Sequence, residues 1–137
     1  MKNKLYSIAI ILIGFTIPTI QSCKKYPYGP LISLESRKER VANTWKIENY
    51  QKNGNDYTSS MSGYTETYTK DGNYSYTWHI FGGAGKWTFQ NHDKEIRING
   101  VNNQSSQTLY ILRLEEKSFW YYYMDNNDKK EFHMIPN

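Results

Sequence analysis

The stretch YTETYTKDGNYSYTWHIF, residues 64–81, decides the fold class of this chain. Large aromatic residues alternate with small polar residues on both sides of KDGN (residues 70–73), which is the pattern of half-buried strands. The Asp-Gly pair at its centre is a strong signal for a tight hairpin turn. The stretch therefore predicts two antiparallel strands, 64–69 and 74–81, each with one ring-bearing face.

The same alternation continues on both sides of this hairpin. It predicts further strands at 44–50, 86–90, 95–98, 108–114, 118–124 and 131–135, with GGAG (residues 82–85) among the connecting turns. Eight sequential antiparallel strands remove their edges most economically by closing into an up-and-down barrel. We therefore expect an all-β, eight-stranded antiparallel barrel, with a two-sheet β-sandwich as the alternative, because closure is not readable from one sequence.

A short helix is expected before the first strand, within LISLESRKERVANTW (residues 31–45). Ser33 is a fair N-cap, and Ser36 and Glu39 fit a capping box one turn later. Asn43 can end the helix in a left-handed conformation.

Residues 1–22 have the layout of a secretory signal peptide, and the single cysteine of the chain follows directly. Two lysines precede an apolar run that is shorter than the roughly 20 residues of a membrane-spanning helix. The end of the run resembles a bacterial lipobox, which implies that Cys23 becomes the acylated first residue of a mature lipoprotein. Residues 23–32 would then be a lipidated tether and 33–137 the barrel domain. A signal cleaved nearby, with Cys23 as a free thiol, is the alternative.

The order of these pieces resembles the lipocalin-like lipoproteins of Bacteroidetes. The matching stretches are SCKKYPYGPLISLESRKERVANTWKIE, YTKDGNYSY, GKWTFQ, LYILRLEEKSFWYYY and EFHMIPN. The lipocalin Gly-x-Trp appears here as Asn43-Thr44-Trp45, and the other lipocalin motifs have no counterpart. The resemblance implies a small barrel anchored to the outer membrane of a bacterial envelope, and no particular activity. No acidic run follows Cys23, which favours the periplasmic side over the cell surface.

Rings dominate the predicted inner face of the barrel and provide its candidate ligand contacts. The residues assigned inward include Trp45, Tyr64, Tyr68, Tyr74, Tyr76, Trp78, Ile80, Trp87, Phe89, Tyr110, Leu112, Leu114 and Phe132. The candidate ligand-binding residues are Trp45, Glu66, Tyr68, Tyr76, Trp78, Trp87 and Tyr121.

Two polar residues, Glu66 and Asn49, share the parity of inward neighbours. An inward Glu66 would be a polar anchor in a ligand cavity and would need a partner. A strand end near solvent, or a bulge that reverses its face, is favoured because buried acids are rare unless paired.

SFWYYYM (residues 118–124) is aromatic on both faces of its strand. The outer rings could form an exposed platform for sugar rings or a protein partner. Alternatively, the N-terminal helix could cover them.

Nothing in the sequence predicts a catalytic site, a metal site or a nucleotide-binding site. His79, His92 and His133 fall on different segments without ligand spacing, and one cysteine excludes a disulfide framework or a multi-cysteine metal site. GGAG joins two strands and is no phosphate loop. The formal net charge of +4 includes no long basic run, which argues against nucleic-acid binding. We expect no catalytic residue, metal or cofactor.

The expected function is that of a non-enzymatic lipoprotein, held to a bilayer through acylated Cys23, that binds a small, partly apolar molecule in or at the mouth of its barrel. The alternatives are a carbohydrate-binding accessory lipoprotein and a structural or protein-interaction lipoprotein with a filled barrel. The oligomeric state stays open.

Overall fold

The computed structural model describes residues 25–29, 34–101 and 106–137. The predictions for the signal peptide, for Cys23 and for Ser33 lie outside these residues.

Eight antiparallel strands form one closed wall. Each strand pairs with the next along the chain, and the first pairs with the last from Trp45 opposite Pro136 to Lys52 opposite Lys130. The predicted all-β barrel is therefore confirmed, and the sandwich alternative is wrong. The strands of the wall are β1 (Thr44–Lys52), β3 (Thr65–Tyr68), β4 (Asn73–Trp78), β5 (Phe81–Gln90), β6 (Glu95–Asn99), β7 (Gln107–Glu115), β8 (Ser118–Asp125) and β9 (Asp128–Pro136). The two-residue strand β2 (Asn55–Asp56) extends the end of β1, and a 3-10 turn (Thr58–Met61) follows it.

Helix α1 (Arg37–Val41) begins at the predicted capping box. The Ser36 hydroxyl accepts from the Glu39 N–H at 3.2 Å, and the Glu39 carboxylate accepts from the Ser36 N–H at 3.1 Å. The helix ends at Ala42 with φ −68°, so the predicted left-handed end at Asn43 is wrong. The Asn43 side chain instead accepts a hydrogen bond from the Thr44 N–H at 2.8 Å.

Helix α1 and the N-terminal segment Lys25–Gly29 pack at one end of the barrel, called here the closed end. Val41 is fully buried and its carbonyl accepts from the Trp45 indole at 2.9 Å. Arg40 donates to the Leu114 carbonyl at 2.6 Å. The Tyr26 hydroxyl donates to the Asp93 carbonyl at 2.8 Å, in the turn between β5 and β6. These contacts bury the rings at this end, which is the well-packed half of the core.

The predicted hairpin of residues 64–81 forms, with one change at its far end. β3 pairs with β4 in register, and Gly72 takes the positive φ of 89° that the turn requires. The next turn, however, lies at His79 and Ile80, where His79 has φ 53°. GGAG is part of β5, so the turn predicted there is wrong, and Ile80, predicted inward, is 92% exposed.

Gly85 in β5 allows a close backbone approach. A Cβ atom on Gly85 would lie 2.3 Å from the carbonyl oxygen of Asn99, the last residue of β6. Glycine inside a strand often marks such an approach and not a turn.

Two β-bulges change which residues face inward. In β7, the register shifts between Ile111 and Arg113, so Leu109 and Ile111 are buried whereas Tyr110 is 37% exposed. The inward prediction for Tyr110 and Leu112 is therefore wrong, although Leu114 beyond the bulge is fully buried, as predicted. A bulge inserts one residue and so reverses the alternation.

The bulge in β1 lies between Ile47 and Asn49. It turns Tyr50 into the core, while the Asn49 side chain donates to the Thr58 hydroxyl at 3.1 Å. The inward parity assigned to Asn49 is wrong for the same reason.

Candidate ligand cavity

A cavity of about 680 Å³ occupies the half of the barrel away from α1, called here the open end. Its volume lies within the range of typical small-molecule sites. Aromatic residues form much of its wall, namely Tyr50, Tyr64, Tyr74, Tyr76, Trp78, Tyr121, Tyr123 and Phe132. Asp125 and Lys130 lie at its mouth, where their side chains form an ion pair at 2.5 Å. The barrel is thus filled at one end and hollow at the other.

Glu66 lies at the floor of the cavity, with a side chain that is only 3% exposed. Four tyrosine hydroxyls donate to its carboxylate. Tyr64, Tyr74 and Tyr121 reach Oε1 at 2.6, 3.1 and 2.9 Å, and Tyr68 reaches Oε2 at 2.8 Å. We call these four residues the tyrosine cluster. The preference for a solvent-facing or bulge-reversed Glu66 is therefore wrong, because hydroxyls from three strands supply the partners that a buried acid requires.

Burial sets the electrostatics of this site. Loss of water raises the pKa of the Glu66 carboxyl, and the tyrosine hydrogen bonds oppose that rise because they favour the charged form. Burial and the neighbouring carboxylate also raise the pKa values of Tyr64, Tyr68, Tyr74 and Tyr121, so these phenols stay protonated donors. Among the described residues, no Lys, Arg or His forms an ion pair with Glu66.

The seven candidate ligand-binding residues divide into two groups. Glu66, Tyr76, Trp78 and Tyr121 line the cavity. Trp45, Tyr68 and Trp87 lie below it, where they are almost fully buried. The Trp87 indole donates to the Thr69 carbonyl at 2.9 Å, and the Trp45 ring packs 5.7 Å from Phe119. These three rings fill the core at the closed end and do not contact the open space.

Sequence reasoning missed several lining residues. Tyr64, Tyr74 and Phe132 were assigned inward but not to the site, although Tyr64 shares the parity of Glu66 two positions along the strand. Tyr123 shares the parity of the candidate Tyr121 two positions along β8, so the same signal applies to it. Lys130 carried no such signal, because its position at the mouth depends on how β8 and β9 close the wall.

The outer face of β8 is largely covered. The Trp120 ring stacks on the His133 ring, with centroids 4.0 Å apart. The Arg113 guanidinium lies 4.4 Å from the centroid of the Trp120 ring, and the Tyr28 ring centroid lies 6.0 Å from it. Tyr122 stacks on Tyr110 at 4.9 Å. Coverage thus comes from neighbouring side chains and the N-terminal segment, so the expectation that α1 covers these rings is wrong.

Within residues 25–29, 34–101 and 106–137, no three His, Cys, Asp or Glu side chains are arranged to hold a metal ion. His79 and His92 lie exposed in turns, and His133 lies on the outer wall. In the same residues, no helix combines the length and the apolar character needed to cross a membrane.

Comparison with known proteins shows the fold and nothing finer. No protein-family model and no curated protein sequence matches the chain. A crystal structure of a DUF4847 family protein from Bacteroides vulgatus ATCC 8482 is similar, with a TM-score of 0.51 and 11% sequence identity. The match covers 71% of this chain and 94% of that one. At this identity the likeness extends to architecture alone. The chain is therefore a small eight-stranded β-barrel protein similar in fold to a DUF4847 family protein.

Proposed function

We propose that this protein is a non-enzymatic, membrane-tethered envelope lipoprotein that binds a small, partly apolar ligand in the open end of its barrel. The observation that carries the proposal is the ring-lined cavity of about 680 Å³ with one buried carboxylate at its floor. Binding sites for small molecules combine apolar walls with a few placed polar groups in this way.

The aromatic wall and the polar groups of the cavity would contribute to binding in different ways. Apolar ligand surface that leaves water against the rings contributes roughly 25 cal/mol per Å². The Trp78 indole N–H has no hydrogen-bond partner among the described residues, although Trp78 lines the cavity. An acceptor atom on the ligand would satisfy this donor, whose desolvation otherwise costs about 1–3 kcal/mol.

The N-terminal segment supports a defined orientation on the membrane. Lys25 pairs with Asp93 at 3.5 Å and Tyr26 is buried beside the same turn, so the chain enters the barrel at the closed end. If Cys23 is acylated, the bilayer lies at that end and the cavity mouth faces away from it. Several acyl chains hold far more firmly than one, at roughly 0.8 kcal/mol per buried methylene. The proposed location is the outer membrane, on its periplasmic side.

The tether has a direct test. Cys23→Ala should move the protein from the membrane fraction to the soluble fraction, and the intact mass should lose the diacylglyceryl and acyl groups. If membrane partition is unchanged in this variant, the lipoprotein part of the proposal is wrong.

Ligand carriage is tested by native mass spectrometry of the full chain extracted from its host. We expect a bound mass that is released on denaturation. Leu109→Trp should reduce it, because Leu109 is buried and lines the cavity, whereas Leu34→Trp on the exposed surface should not. A bare protein mass in the wild type, with no small probe bound in solution, would refute the binding proposal.

A carbohydrate-binding role is a second candidate, supported by one observation. The stacked pair of Tyr110 and Tyr122 lies on the outer wall, with Tyr110 37% exposed. Aromatic faces of this kind can stack on sugar rings. Loss of glycan retention in Tyr110→Ala, with cavity probes still bound, would favour this role.

A further inference from the structure

We infer that the cavity ligand carries an organic cation, specifically a primary ammonium group, which sits on the hydroxyls of Tyr64, Tyr74 and Tyr121 above Glu66. The inference rests on the proposed function, because it names the chemical class of the ligand of that same cavity.

The first argument is charge balance. Four hydroxyls donate to the Glu66 carboxylate, an arrangement that matches the ionised, acceptor-only form of the group. Hydroxyls are dipoles and do not neutralise the charge. The cation at the mouth, Lys130, is already engaged by Asp125 at 2.5 Å and lies 5.8 Å from the Tyr123 ring. Buried charges are normally paired, so a cation from outside the described residues would complete this site.

The second argument is the placement of acceptors. Tyr64, Tyr74 and Tyr121 all line the cavity and all converge on the same oxygen, Glu66 Oε1. Each phenol oxygen donates its proton to the carboxylate and retains lone pairs. A primary ammonium has three N–H donors, which is the number of converging phenol oxygens. The ammonium would then donate to the phenol oxygens, which in turn donate to Glu66, so the ligand and the carboxylate would interact through the hydroxyls and not by direct contact.

The third argument is the chemistry of the walls. The faces of aromatic rings carry a negative quadrupole that attracts cations. Tyr64, Tyr76, Tyr123 and Phe132 all line the cavity, where Tyr64 stacks with Tyr76 at 6.0 Å and Tyr123 with Phe132 at 5.6 Å, so the wall of the site is built from aromatic rings. The same floor and walls repel an anion. A fatty acid or other carboxylate ligand is therefore disfavoured in this barrel.

The test compares three probes of similar size and different charge, namely phenethylamine, 2-phenylethanol and 3-phenylpropionate. Each is titrated into the full chain in detergent by calorimetry at pH 7.5. We expect the amine to bind at least ~10-fold more tightly than the alcohol, and the carboxylate more weakly than both, because ions near a buried charge are little screened. The inference is overturned if the alcohol binds as tightly as the amine, or if the carboxylate binds most tightly of the three.

The variant Glu66→Gln keeps the size of the side chain and removes its charge. In this variant, the ratio of the affinity for phenethylamine to the affinity for 2-phenylethanol should fall close to one. Glu48→Gln, which removes one negative charge from the exposed outer face of β1, should leave the ratio unchanged. An unchanged ratio in Glu66→Gln overturns the inference, and if that variant does not fold, the wild-type probe series decides alone.

The two proposals fail in distinguishable ways. If 2-phenylethanol binds to the wild type and binds less tightly to Leu109→Trp, but the amine binds no more tightly than the alcohol, only the cation inference is wrong. If none of the three probes binds and no host ligand is found, the ligand-binding function itself is wrong, and the inference with it.

Discussion

Removing one hydroxyl from the tyrosine cluster tests whether hydrogen bonding permits an acid in this core. Tyr68→Phe is the cleanest change, because Tyr68 is the only donor to Glu66 Oε2 among the described residues and does not line the cavity. The ring contacts should survive, since the ring lies 5.0 Å from Tyr74 and 5.6 Å from Phe119. The variant therefore isolates the hydroxyl.

The expected cost follows from the geometry of that bond. It is 2.8 Å long, almost fully buried and made to a carboxylate. Hydrogen bonds to charged groups contribute about 1.5–3 kcal/mol, so Tyr68→Phe should lower the free energy of unfolding by about that amount. Tyr57→Phe is the matched control: Tyr57 is 48% exposed, and surface changes usually stay within about 0.5 kcal/mol.

The assay is urea unfolding of the full chain, followed by tryptophan fluorescence. A double-mutant cycle with Glu66→Gln should show that Tyr68→Phe costs less when the acceptor is a neutral amide, with a coupling of about 1 kcal/mol or more. A loss under about 0.5 kcal/mol for Tyr68→Phe, or independent effects of the two changes, would show that the hydroxyl does not stabilise a buried carboxylate.

Three further predictions concern stability. The raised pKa of Glu66 means that the folded state binds more protons than the unfolded state, so stability should fall as pH rises from about 4.5 through the folded pKa; Glu66→Gln should remove this slope in unfolding measured from pH 4 to 8. Gly85→Ala should cost roughly 2 kcal/mol or more in urea unfolding, because its Cβ would meet the Asn99 carbonyl at 2.3 Å, and a wild-type midpoint would contradict this contact. Trp45→Ala should cost about 3–5 kcal/mol in thermal or urea unfolding, because a fully buried ring and its bond to Val41 are lost; a loss below 1 kcal/mol would contradict that packing.

Two of the strongest local signals predicted correctly, although the left-handed helix end at Asn43 and the turn at GGAG, which are also local, are wrong. The Asp-Gly hairpin and the Ser36–Glu39 capping box depend on residues within four positions, and both form. The predicted side-chain orientations were wrong where they depend on how distant strands pair. The bulges in β1 and β7 reverse side-chain parity, and nothing in the alternating pattern marks where an extra residue enters a strand.

The site shows the same limit. The alternation gives Glu66 inward parity, but buried acids are rare unless paired, and the sequence alone does not identify the partners. Its partners come from β3 and the residue before it, from β4 and from β8, and Tyr121 is 55 positions away. Only closure of the barrel brings these hydroxyls within hydrogen-bond distance of one carboxylate.

By itself, the sequence determined a series of sequential antiparallel strands with a short capped helix, because alternation and turn chemistry act over a few residues. Tertiary structure alone decided that these strands close into a barrel, which half of the barrel is packed and which is hollow, and that Glu66 is buried at the floor of the hollow half. The physical reason is that cavity shape and the stability of a buried charge depend on atoms from distant strands, whose meeting depends on strand register and bulges.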